Sequence, residues 1–185
     1  LTQALGLNRK GNRMRTFLVA LLAVIALTGF GNPSVVRVKE AEIRKITITK
    51  IFIPRFEGNP NFVEESTDLF IAELEPRISA SIIQGSALRT ESTDVLAGGN
   101  LAPTDLALAK AKETGAEILI MGKVTSHSTA GMLNGFSTVR VIDVATGNIL
   151  ATFHRPSGKL IASSEHETVL AAVSRTAKDV AKALK

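Results

Sequence analysis

Residues 116–124, Ala-Glu-Ile-Leu-Ile-Met-Gly-Lys-Val, read as the clearest central strand of the chain, and the segments on either side of them limit the fold. On the N-terminal side, a segment opens at Pro103-Thr104 and closes at Gly115, with Ala and Leu along one side. That pattern predicts a helix. On the C-terminal side, Phe136–Val144 and Asn148–Phe153 flank Ala145-Thr146-Gly147, which predicts a hairpin. Arg140 lies between Val139 and Val141, the alternation expected where one sheet face meets water. Asp143 is expected to organise the turn, because a short carboxylate can accept nearby backbone N–H groups.

Upstream, Ile46–Ile53 predicts a strand closed by Pro54. Its first half alternates and its second half is continuously apolar, as for a strand entering a covered sheet. Asn61-x-x-Glu64 reads as a variant capping box. Val63, Phe70, Leu74, Ile78 and Ile82 follow at helical spacing with Thr67 between them, and Pro76 should kink or divide that helix. A short strand is expected near Ile83–Thr90, then an exposed loop around Ala97-Gly98-Gly99-Asn100. Ser164-x-x-Glu167 offers a second capping box. Leu170, Val173, Ala177, Val180 and Leu184 form a stripe that should cover the sheet. The order β-α-β-α-β-β-β-α predicts one α/β domain: a mixed sheet with helices packed on it and a terminal antiparallel hairpin.

A length of 185 residues fits one such domain, and 45% apolar residues are enough for a packed core. Aromatics make up 4%, all of them Phe, which is poor material for an aromatic-lined sugar groove or a base-stacking surface. Without cysteine the chain has no disulfide, thiol nucleophile or thiolate metal site.

The N-terminal segment has a different character. Phe17–Leu27 is an eleven-residue apolar run directly behind Met14-Arg15. A basic stretch followed by such a run reads as a secretion signal. As a helix it would span only about 16 Å, about half a bilayer's hydrocarbon core. Residues 1–30 therefore read as a signal or signal-anchor region with its natural start at Met14, residues 31–45 as a linker, and residues 46–185 as the α/β domain. Leu27-Thr28-Gly29 resembles the residues before the lipidated cysteine of a bacterial lipoprotein, but Phe30 stands in the cysteine position and cannot form the thioether. No clean Ala-x-Ala marks a cleavage site; cutting at 28–34 or retention as a short anchor both fit. Arg9, Lys10, Arg13 and Arg15 account for four units of the formal +5 charge, so the rest of the chain is nearly neutral. Steering towards nucleic acid is therefore not expected.

The chemistry-bearing residues do not assemble into a reaction centre. Ser126-His127-Ser128 is the tempting cluster, but adjacent strand residues point to opposite faces. Neither His154, near a strand end, nor His166, in a first helical turn, has metal-ligand spacing to another histidine. Glu64 with Glu65, and Glu73 with Glu75, read as solvated helix faces rather than the paired acids of a glycosidic cleft. Gly98-Gly99 lacks the pattern that cradles a triphosphate. Lys178, Lys182 and Lys185 suit the C-terminal end of a helix dipole. No catalytic, cofactor-binding or metal-binding residue is assigned, and no cofactor is expected.

Three local elements carry a family resemblance: Ile51-Phe52-Ile53-Pro54-Arg55-Phe56, Thr114–Val124, and Val141-Ile142-Asp143-Val144-Ala145-Thr146-Gly147-Asn148-Ile149. Over roughly residues 46–184 the chain resembles the curli-secretion-channel-like and TolB N-terminal-like periplasmic α/β domains. The resemblance implies a non-enzymatic envelope module of the kind used in secretion channels, polysaccharide-export collars, cell-wall-synthase activators and flagellar accessory rings, often carried on outer-membrane lipoproteins. It transfers no catalytic residues.

The expected function is thus an assembly or scaffold role in a periplasmic or outer-membrane complex. Envelope proteins are the expected partners, with self-association and outer-membrane contact among the options, and nucleic acid is not. The alternative is a periplasmic hydrolase or carbohydrate-binding protein, which would need a cleft joining His127 to His154 or to an acid. For partner contacts, the loops 54–61 and 91–103 are the candidates, with Arg55, Glu57, Glu91 and Asp94 as the named residues. They are expected to act as two separable regions, the second being the better candidate.

Overall fold

The run Ile118–Met121 lies in the interior of a mixed sheet, in a computed structural model that describes residues 34–85, 103–129, 132–157 and 164–185. The strands are β1 (Val35–Val38), β2 (Lys50–Ile53), β3 (Glu57–Gly58), β4 (Ser81–Gln84), β5 (Ile118–Thr129), β6 (Met132–Asp143) and β7 (Ile149–Pro156). The helices are α1 (Glu40–Ile43), α2 (Pro60–Leu74), α3 (Pro103–Glu113) and α4 (Glu165–Ala183). The sheet order is β1-β7-β6-β5-β2-β4, with β3 pairing beside β5. β2 runs parallel to β4 and β5, whereas each neighbouring pair in the series β1, β7, β6, β5 is antiparallel. This is the expected α/β class with its terminal hairpin.

Strand parity assigns the two faces, because successive side chains alternate. On the front face Ile51, Ile118, Ile120, Val139, Val141, Ala151 and Phe153 are buried under α2 and α4. Phe70 and Leu74 of α2, and Val173, Ala177 and Val180 of α4, are fully covered there. Fully burying one such Phe or Leu contributes about 1.5–3 kcal/mol, so this layer is the main source of stability. On the back face a smaller cluster joins Phe52, Leu119, Ile142 and Val144 to Ala107 and Ala111 of α3.

Local chemistry sets the element ends. Ser164 and Glu167 form the reciprocal capping box that opens α4. Asp143 accepts from the Ala145 N–H at 2.9 Å and the Thr146 hydroxyl at 2.7 Å, and Gly147, at φ +74°, closes the turn. Thr67 donates to the Val63 carbonyl and accepts from the Phe56 N–H, tying the segment after β2 to α2. Gly135 lets α4 approach β6 directly: a Cβ there would meet the Thr168 and Val169 backbone at 2.4 Å.

Several expectations are corrected. Residues 35–43, read as part of a linker, hold β1 and α1, and β1 pairs with β7 at the sheet edge. The strand expected at 46–53 is regular only over Lys50–Ile53, and the strand expected near 83–90 is found at Ser81–Gln84. The cap of α2 is Asn59 rather than Asn61: its side chain accepts from the Asn61 N–H, and Pro60 takes the first helical position. Glu64 pairs instead with Arg55 at 3.1 Å. The helix stops at Leu74 and a 3-10 turn carries Pro76, so Ile78 and Ile82 continue the spacing outside the helix, with Ile82 in β4. In α4, Val169 rather than Leu170 faces the sheet; Leu170 is half-buried.

Candidate protein-interaction face

Helix α3 covers the back of the sheet only around Phe52, Leu119 and Ile142. Among the described residues the cluster under α3 reaches neither β1 nor β7 on that face, and along β5 it ends at Met121. The pairing register lays its side chains out in cross-strand rows. One row runs Arg37, Thr152, Arg140 and Met121. The next runs Val35, His154, Thr138 and Lys123, and Glu57 of β3 stands beside Lys123. Arg37, Lys123 and Arg140 are exposed. None of the ion pairs among the described residues includes them. Strands lie about 4.8 Å apart, so Arg37 and Arg140, two strands removed, stand about 10 Å apart on a flat support.

An aromatic stack borders these cations. The Phe136 ring lies 5.6 Å from His127 and 5.5 Å from His154, tilted 50° to the first and nearly parallel to the second. The Thr138 hydroxyl holds His154 Nδ1 at 2.9 Å. These are diagonal cross-strand neighbours, within reach of large rings. The two histidines thus flank Phe136 instead of converging on a cleft, and the Thr138 contact orients one of them.

The serines beside His127 point elsewhere or stand apart from it. Ser126 faces the front, where its hydroxyl bonds Glu165 at the start of α4. His166 reaches Glu65 at 2.5 Å, which joins the N-terminal ends of α2 and α4. Among the described residues, no group of three His, Asp or Glu side chains is placed to hold a metal ion. Glu73 is drawn into packing between helices, accepting from Ser174 at 3.1 Å and pairing with Arg77 at 3.0 Å. A hollow of about 660 Å³ lies between β1, α1 and the end of α4. Val36, Ile43 and Ile46 line it, and the Arg155–Asp179 ion pair, 2.5 Å long, stands at its side.

The named contact residues fall as follows. Arg55 leaves β2 and is engaged by Glu64. Glu57 is exposed in β3, at the border of the open face. Glu91 and Asp94 lie outside the described residues. Pro103, the first residue of α3, lines one small hollow together with Pro54, Arg55 and Glu57. His127 and His154 were named for the cleft of the hydrolase or carbohydrate-binding alternative, whereas the back-face cations and Phe136 were not among the sequence candidates. Their only sequence signal is the register of the long hairpin.

Glu117 marks the opposite end of β5. It accepts from the Thr49 hydroxyl at 2.7 Å and from the backbone N–H groups of Lys50 and Thr49 at 2.7 and 3.0 Å. Slight desolvation raises its pKa, but these bonds to the ionised form outweigh it and leave the carboxyl below its ordinary value.

No protein-family model matches this chain, and no curated protein does. Among solved structures the fold is similar to the PelC dodecamer from Paraburkholderia phytofirmans, with a TM-score of 0.51 at 10% identity, covering 78% of this chain and 95% of that one. A single-residue variant of that dodecamer gives 0.51 at 12% identity, over the same shares. The LpoB C-terminal domain from Salmonella enterica gives 0.43 at 12% identity, covering 64% of this chain and 94% of that domain. At such identities the PelC likeness establishes the fold.

Proposed function

We propose that this chain is an exported scaffold subunit of a bacterial cell-envelope complex, placed in the periplasm or at the outer membrane, which assembles through self-association and performs no chemistry of its own. The observation that carries this reading is the asymmetry of the sheet. Most of its front is packed under α2 and α4, while its back presents Arg37 of β1, Lys123 of β5 and Arg140 of β6 with no ion-pair partner among the described residues. A flat cationic face backed by a packed core suits docking better than catalysis, since nothing on it forms an enclosed, converging pocket. The fold likeness to a protein solved as a dodecamer supports self-association. The sequence resemblance to curli-secretion-channel-like and TolB N-terminal-like domains supports an envelope role, and the apolar run behind Met14-Arg15 supports export. Arg55 and Glu57 at the border of the face, with Glu91 and Asp94 of the 91–103 segment, are proposed as additional contacts to other envelope proteins.

Site-specific photo-crosslinkers at Thr138 and Thr152, in the full chain expressed in a bacterial host, test this. The reading expects cross-linked multiples of the chain in the envelope fraction. Cytoplasmic fractionation, or no cross-linked species from either position, would remove it.

A further inference from the structure

Self-association through a face made of four different strands raises the question of what that face meets on the second copy. The molecule carries its complement on the other side. α2 carries Glu64, Glu65 and Asp68 and the first turn of α4 carries Glu165 and Glu167; Glu65 meets His166 of α4, and Arg55 pairs with Glu64. α2 itself holds four carboxylates and no basic residue. The Glu64 side chain remains 77% exposed despite its pair with Arg55, and Glu65 remains 56% exposed. Glu64 and Asp68 are one helical turn apart and both exposed, Asp68 accepting from the Gln84 side-chain amide at 3.0 Å.

We infer that copies of this chain stack front to back, the acidic outer face of α2 around Glu64 and Asp68 on one copy seated on the Arg37–Lys123–Arg140 sheet face of the next. This rests on the self-association proposed above and names its two surfaces. The physical basis is charge complementarity between two different faces of one chain. A like-to-like contact would set Arg37 and Arg140 against cations, or Glu64 and Asp68 against carboxylates. Joining front to back instead brings exposed carboxylates to unpaired cations at every junction. The contact is heterologous, so each copy keeps one free face of each kind, and closure makes a ring while failure to close makes a filament. The open sheet face also receives a helix, as its front face does within each copy.

Two charge-reversed variants of the full chain test the inference by sedimentation velocity: Lys123→Glu with Arg140→Glu, and Glu64→Lys with Asp68→Lys. Each variant alone is expected to lose the assembled species, with self-affinity at least tenfold weaker, and an equimolar mixture of the two is expected to regain it. Assembly of the unaltered chain should also weaken at least tenfold as salt rises from about 0.05 to about 0.5 M, because exposed ion pairs are screened. That titration stands even where a variant fails to fold. If the unaltered chain assembles, but salt has no effect or folded variants assemble normally, the pairing of faces is wrong while self-association stands. If folded variants each lose assembly and their mixture does not regain it, the two faces do not meet each other. If the unaltered chain is a monomer under all conditions, self-association itself fails and this contact with it.

Discussion

Phe136 stacks on His154 with ring centres 5.5 Å apart and planes within 12°, on the sheet face that α3 covers only around Phe52, Leu119 and Ile142. Phe136 is nonetheless only 8% exposed, because His127 shields its other side. The ring therefore acts as a structural platform for both histidines. Phe136→Ala is expected to lower stability by about 2–4 kcal/mol, towards the lower end of buried aromatic truncations. It should also shift the imidazole NMR signals of both His127 and His154. Unmoved imidazole signals in a folded variant would contradict the stack.

The front layer predicts a contrast between two residues of α4 three positions apart. Val173 is fully buried against the sheet, whereas Leu170 is half-buried. Val173→Asp is expected to cost at least about 3 kcal/mol through an unpaired buried charge, and Leu170→Asp about 1 kcal/mol or less. Denaturant unfolding of the two variants checks the order, and equal losses would place the helix in a different rotation.

Gly135 predicts a backbone collision. An added methyl group would meet the α4 backbone at Thr168 and Val169, which cannot swing aside as a side chain can. Gly135→Ala should destabilise by about 2–3 kcal/mol and be the costlier for pushing α4 off β6. Thermal melting at the wild-type midpoint would refute so close an approach.

The turn at Asp143 and the cap at Ser164 are legible from a few neighbouring residues, because both are local bonds to backbone N–H groups. The central strand and the hairpin follow from hydrophobic pattern in the same way. Elements decided by distant contacts are not legible. β1 is four residues long and contains Arg37, so its alternation is too short to read; its pairing with β7 depends on Phe153 and Ala151, more than a hundred positions away. Ile78 and Ile82 keep helical spacing past Pro76 because apolar residues are needed there for the connection and for β4. Val169 and Leu170 are neighbouring apolar residues, and which one turns inward is settled by how the whole of α4 packs, with Val169 set against Gly135 and Val173, Ala177 and Val180 against the sheet. The candidate face is the least legible of all. Arg37, Lys123 and Arg140 lie on three strands, and only pairing register puts them on one side.

Glu117 predicts a pH dependence. Its carboxylate accepts from Thr49 and Lys50, and its pKa is lowered from 4.5. The ionised form is thus favoured in the folded state, so the stabilisation is fully present above pH 4.5 and is lost as pH falls through the lowered folded value. Glu117→Gln should reduce stability at neutral pH and narrow its deficit relative to wild type as the solution is acidified below that range. A deficit constant from pH 7 to pH 3, about four units, would contradict the role of ionisation.

The most direct test of the account is the mass of the full-length chain recovered from a bacterial envelope fraction, followed by sedimentation against protein concentration at low salt. A self-assembling scaffold should sediment as multiples of the chain, with the Lys123→Glu, Arg140→Glu variant reduced to the single-chain mass while keeping its fold. A single-chain mass for the unaltered protein at every concentration would contradict the account.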